Sequence, residues 1–143
     1  MAFSVLANRG AEIKVIDGTG GTRDLTAFYL GGFPELANDV VDVSSIADAA
    51  HRVILGLQNN DASVQWLFDD GAAPTGSWAV LSSRLGEATA HNVIFYPAGT
   101  ASGKPIITVP YRMTTCTPGG GVGEAAKIET NFATDGTRTV GTV

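Results

Sequence analysis

The clearest period in this chain is two. Between Glu124 and Thr134, Ala126, Ile128, Thr130 and Phe132 fall on one side, and Lys127, Glu129 and Asn131 fall on the other. Successive side chains of an extended strand point to opposite faces, so this stretch reads as a half-buried strand. The remaining β-branched and aromatic runs are short and are separated by Gly, Pro and Asp clusters, the punctuation of an all-β chain. Glu12–Ile16 is one such run. Asp17-Gly18-Thr19-Gly20-Gly21 is the turn that follows it, and Arg23–Tyr29 is the expected return strand, broken at Gly31-Gly32-Phe33-Pro34. Further strands are expected at Val40–Ser45, Ala62–Phe68, His91–Tyr96 and Lys104–Met113. Pro110 places the last of these at an edge or a bulge, because proline cannot donate to a ladder. Thr117–Gly123 reads as a glycine-dense loop. Asp135-Gly136 predicts a tight hairpin into Thr137–Val143.

Two segments carry a helical period. In Ser77–Leu85, Trp78, Leu81 and Leu85 share a face, and Gly86 stops the run. In Ile46–Leu57, the residues Ile46, Ala50, Val53 and Leu57 recur at helical spacing after the box Ser45-Ile46-Ala47-Asp48. Strands and helices are not evenly interleaved, which argues against a parallel α/β sheet.

A chain of 143 residues is expected to form one domain spanning 1–143. Cys116 is the only cysteine, so there is no internal disulfide and no cysteine-rich zinc site. The two histidines, His51 and His91, lack a metal-ligand spacing. The first apolar run, interrupted at Arg9, is too short for a signal peptide, and no stretch has the length of a membrane span. The expected origin is therefore a reducing cytoplasm.

Charged residues make up 16% of the chain, against roughly a quarter in an ordinary soluble protein. Together with many small apolar residues, this suggests a surface covered by partners. The net charge of −5 and nine scattered Lys and Arg argue against binding nucleic acid by phosphate neutralisation.

No chemical motif survives inspection. Gly121-Val122-Gly123-Glu124-Ala125-Ala126 has the glycine spacing of a dinucleotide loop, but a strand follows it rather than a helix. Asp69-Asp70 reads as turn residues, since neighbours on an extended chain point apart. The scattered aspartates lack calcium-loop spacing, and nothing local supports a Cys116–His51 nucleophilic pair. No catalytic, cofactor or metal residue is expected. The aromatics Phe28, Tyr29, Trp66, Phe68 and Trp78 read as core. Phe3 and Phe33, beside glycine-rich or terminal segments, are candidates to anchor a neighbouring copy.

Three places together resemble the tail tube proteins of long, non-contractile-tailed bacteriophages. The first is the spacing from Asp24-Leu25-Thr26 to Val41-Asp42-Val43-Ser44-Ser45. The second is Gly56-Leu57 leading through Ala62–Phe68 to Asp69-Asp70. The third is Pro97-Ala98-Gly99 and Gly103-Lys104 leading to Phe132-Ala133-Thr134-Asp135-Gly136. The resemblance implies a mainly β fold, with two packed antiparallel sheets of tail-tube sandwich or barrel type and a short flanking helix. It implies hexameric rings stacked into a hollow tube that conducts DNA, and a segment between early strands that orders on stacking. That segment is Ile46–Leu57, either helix or assembly-ordered loop, with Asp48, Arg52, Val53 and Leu55 as its expected contacts to the next ring. Lys127, Glu129 and Asn131 are the lumen-facing candidates. The implied partners are further copies of the chain, tail-tip and tail-terminator proteins, and a tape measure protein during assembly. DNA would pass without specific binding. The implied location is the virion tail, after synthesis in the host cytoplasm. Another β-rich virion component, a capsid decoration or tail-completion protein, is the competing reading; a small-ligand β-barrel and an enzyme rank behind it.

Overall fold

The alternating runs become ten strands in a computed structural model that describes residues 10–72, 75–120 and 122–143. They are β1 (Glu12–Ile16), β2 (Thr22–Asp24), β3 (Tyr29–Gly31), β4 (Ala37–Asp42), β5 (Val53–Asn59), β6 (Ala62–Leu67), β7 (His91–Tyr96), β8 (Pro105–Gly119), β9 (Lys127–Thr134) and β10 (Thr139–Thr142). One six-residue helix, α1 (Ser77–Ser82), lies between β6 and β7. Eight strands form one antiparallel sheet in the order β2-β1-β7-β8-β9-β6-β3, with β10 alongside β8. β4 and β5 form a separate two-stranded sheet. The fold is mainly β with two antiparallel sheets and one short helix, and the sheets do not close into a barrel.

The 15-residue β8 organises the large sheet. Its first part pairs with β7 and its second with β9, and Tyr111 takes part in both, opposite His91 and Thr134. Side chains from both stretches meet in one core: Ile13, Val15, Val93 and Phe95 on one side, and Val64, Trp66, Ile128 and Phe132 on the other, with Val80 and Leu81 of α1. Phe33 closes over Phe95 at 6.2 Å between ring centroids. Each fully buried aliphatic or aromatic side chain contributes about 1.5–3 kcal/mol relative to exposure.

The inward face of β9 is the one its alternation predicts, with Ile128, Thr130 and Phe132 buried and Lys127, Glu129 and Asn131 exposed. Thr130 is buried because its hydroxyl is used twice. It accepts from Trp66 Nε1 at 3.0 Å and donates to the Val64 carbonyl at 3.1 Å.

Four local expectations are corrected. The return strand Arg23–Tyr29 is cut in two: Asp24 accepts from the Thr26 backbone and hydroxyl, and a 3-10 turn, Thr26–Phe28, carries the chain into β3. Thr117–Gly119 belongs to β8 rather than to a loop.

The face of α1 is offset from the expected one. Leu85 is exposed, and Arg84 is buried in its place. The helix has ended by then, and Gly86, at φ +81°, turns the chain. Burial penalises the Arg84 charge and pulls its pKa down, an effect opposed by Glu87 beside it. Its guanidinium donates to the carbonyls of Ile16 (3.0 Å), His91 (3.2 Å) and Tyr111 (2.8 Å), and to Glu87 Oε2 (3.2 Å). It thereby satisfies strand carbonyls of β1, β7 and β8 at once.

Finally, β9 and β10 are not a hairpin. Both pair antiparallel with β8, β9 along Tyr111–Gly119 and β10 along Pro105–Thr108, so they run in the same direction one after the other. The interruption between them lies beside Pro110, whose carbonyl accepts from Asp135 N at 3.0 Å. The N–H and C=O of a strand residue face the same neighbour, so the missing proline donor falls where the ladder is already broken. Gly136 packs there with φ +146°, and a Cβ on it would lie 2.5 Å from Pro110 Cγ. The Asp-Gly signal is a real backbone feature, but it serves a bulge rather than a reversal.

Candidate assembly interface

β4 and β5 form an arm. Its paired residues are Val40 with Leu55, Val41 with Ile54, and Asp42 with Val53. Directly opposite residues share a face, so Val40, Val53 and Leu55 lie on one side and Val41 and Ile54 on the other, with Leu57 at the register shift beyond them. All of these are exposed, Leu55 at 68% and Leu57 at 79%. An isolated two-stranded hairpin is marginal in water, and aliphatic groups on both of its faces mark a surface meant to be covered.

This overturns the helical reading of Ile46–Leu57: residues 46–52 form the tip and Val53–Asn59 is a strand. Half of the box that suggested a helix is nonetheless formed. Ser45 N donates to Asp48 Oδ2 at 2.6 Å, and Asp48 N donates to the Ser45 carbonyl at 3.0 Å. It closes one turn and goes no further, because Arg52 folds back onto Val43 and Ser44: Val43 N donates to the Arg52 carbonyl at 2.8 Å, and Arg52 N to Ser44 Oγ at 2.6 Å. Hydrogen bonds from Ser44 hold the Asp42 carboxyl below the usual carboxylate range.

The four expected stacking residues thus fall on one element. Asp48 and Arg52 pair at 3.8 Å at the tip, and Val53 and Leu55 share an arm face. Sequence reasoning missed Val40, Val41 and Ile54. Gly56, a poor helix residue inside the supposed helix, was the available signal.

The lumen candidates also share a surface. Opposite them stand Ser63, Gln65 and Leu67 of β6, and Thr115, Thr117 and Gly119 of β8. The outer face is therefore a three-strand field mainly of hydroxyls and amides, with Leu67, one lysine and one glutamate. Asn131 Nδ2 donates to Thr115 Oγ1 across it at 2.7 Å.

Of the two aromatic anchor candidates, Phe33 touches Tyr29 and Phe95 on one side and is exposed on the other, and Phe3 lies outside the described residues. Asp69 accepts from Gly71 N at 3.1 Å, as a turn residue does. His51 sits at the arm tip beside Asp42, whereas Cys116 lies on β8, its thiol pKa pushed up by burial. Among the described residues, no three His, Cys, Asp or Glu side chains converge, and no helix is long and apolar enough to cross a membrane.

No family model matches the chain, and no curated protein does. Solved structures do. A chain in the tail of the empty gene transfer agent particle, refined with C6 symmetry, is 17% identical over 96% of this chain and 99% of its own, with a TM-score of 0.71. The SPP1 tail tube subunit is 11% identical over 97% and 80%, at 0.72. A chain from the sheath/tube terminator of the PVC extracellular contractile injection system is 10% identical over 99% of each, at 0.70. Identities this low speak to fold, and the fold they give agrees with the resemblance read in the residues: this chain is built as the subunits of the gene transfer agent tail and the SPP1 tail tube are built.

Proposed function

We propose that the chain is a structural virion protein whose hexameric rings stack into the hollow tube of a phage-type tail, and that it has no catalytic role. The observation that carries this is the arm. A fold shared with tail-tube subunits projects a hairpin whose two faces are aliphatic and uncovered. Head-to-tail stacking buries such a feature in every copy except those at the end of a filament. The C6 symmetry of the gene transfer agent tail supports a ring of six. The arm, with Asp48, Arg52, Val53 and Leu55, contacts the adjacent ring. The polar face of β6, β9 and β8 lines the lumen, and DNA passes it without lasting contact, because one lysine offset by one glutamate leaves no phosphate-binding field. Tail-tip and terminator proteins cap the stack, and a tape measure protein occupies it during assembly. The test is negative-stain imaging of the purified protein across a concentration series. Uniform hollow tubes are expected; only trimers, isolated rings or monomers at every concentration would turn the reading toward a decoration or completion protein.

A further inference from the structure

The arm has no core of its own, yet its root is held by one side chain from the far end of the sequence. Arg138 lies in the break between β9 and β10. Its backbone N–H donates to Gln58 Oε1 of β5 at 2.9 Å. One guanidinium nitrogen donates to the Ala37 carbonyl of β4 at 3.0 Å and to Asn60 Oδ1 at 2.8 Å. The other donates to Asn38 Oδ1 of β4 at 2.8 Å. Both strands of the arm are therefore tied to one residue, at the root marked by the Asn38–Gln58 pair.

The anchor behind this clamp is buried and hydrogen-bonded to the body. Asn60 is fully buried, its carbonyl accepts from the Tyr111 hydroxyl, and its N–H donates to Thr134 Oγ1 at 2.7 Å. Arg138 is itself fixed in place by β10, which pairs with Pro105–Thr108 of β8. Beyond the root the ladder is irregular: between Asn38–Gln58 and Val40–Leu55 the two residues Gly56 and Leu57 of β5 stand opposite the single residue Asp39 of β4. An open groove of about 450 Å³ lies between the arm, at Gly56, Leu57 and Gln58, and the β9–β10 break, at Thr134–Thr137. The arm has room to swing, and the planar fork of a guanidinium is suited to holding several acceptors at fixed angles.

We propose that Arg138 is the positioning residue that sets the direction in which the arm leaves the body, so that the seating of the C-terminal edge strand and the presentation of the stacking surface are one event. The importance of the arm's direction rests on the tube reading; the clamp itself does not. The test is hydrogen exchange on the unassembled subunit, read at arm amides such as Val41 and Ile54, together with the thermal midpoint and the helical twist of any tubes.

Arg138→Ala is expected to speed arm exchange by about tenfold or more while exchange in β7 and β9 stays unchanged. Arg138→Lys, which keeps the charge and loses the fork, is expected to stay fast. Tubes of either variant are expected to stack poorly or with altered twist. Unchanged arm exchange in Arg138→Ala, or full protection restored by lysine, overturns the proposal. If Arg138→Ala does not fold, Asn38→Ala removes one acceptor at the root and must still loosen the arm selectively; no change there overturns the proposal too. Wild-type protein that never stacks defeats the tube reading and leaves the exchange result standing.

Discussion

Thr130, Arg84 and Asp17 show how single residues settle the interior. Thr130 was legible as inward-facing from its place between Ile128 and Phe132. What could not be read was its double hydrogen bond, because Trp66 and Val64 are brought to it by strand pairing. Thr130→Val should leave the indole N–H unpaired and cost about 1–3 kcal/mol, measured by denaturant unfolding. Arg84 was illegible altogether, since arginine is placed outside by every local rule and only the convergence of strand carbonyls makes its burial tolerable. Arg84→Met should cost about 3–5 kcal/mol, because it leaves those buried carbonyls without their donor and leaves Glu87 with His91 alone.

Asp17, legible as a turn residue, accepts from the side chain of Arg23 and from Thr19 and Gly21. Burial opposes its charge, but these bonds outweigh that and hold its carboxyl well below the usual range. A depressed native pKa means that the unfolded chain takes up its proton first. The Asp17 contribution is therefore complete above about pH 4 and is lost as acid is added below it. The stability gap between wild type and Asp17→Asn should narrow from pH 7 to pH 3.

At the scale of elements, β1 and β7 are found with the expected bounds, β6 ends one residue early, and β9 starts three residues late. Each pairs its own alternation with a clear flanking break. The misreadings share one cause: local signals that several structures satisfy. An Asp-Gly pair fits a hairpin turn and a bulge equally well, and the presence of Pro110 across the ladder decides between them. Ser45–Asp48 forms half of a helix-start box, while Val53-Ile54-Leu55 pairs with Val40-Val41-Asp42 and takes the following residues into a strand. Tertiary pairing overrode a weak propensity. Because Val53 is exposed on the arm, Val53→Asp should change subunit stability by no more than about 0.5 kcal/mol and yet abolish stacking. Circular dichroism with sedimentation velocity checks both halves. A variant that unfolds would place the arm in the core.

For the whole molecule, low charge and small apolar residues pointed to a surface covered by partners, and the arm gives that inference a location. The lumen assignment depends on the way copies are arranged around an axis, which one chain does not encode legibly; alternation could identify the polar face but not its direction. The neutral field around Lys127, Glu129 and Asn131 predicts that assembled tubes retain little short duplex DNA at low salt. Tight retention that weakens steeply as salt rises would mean that phosphates are being neutralised.

The most direct measurement is a helical reconstruction of the assembled protein by electron cryomicroscopy. Six copies per ring are expected, with the β4–β5 arm seated against the next ring and the Ser63, Gln65, Thr117, Lys127, Glu129 and Asn131 face turned to the axis. An arm left free in solvent, or that face turned outward, would contradict this arrangement.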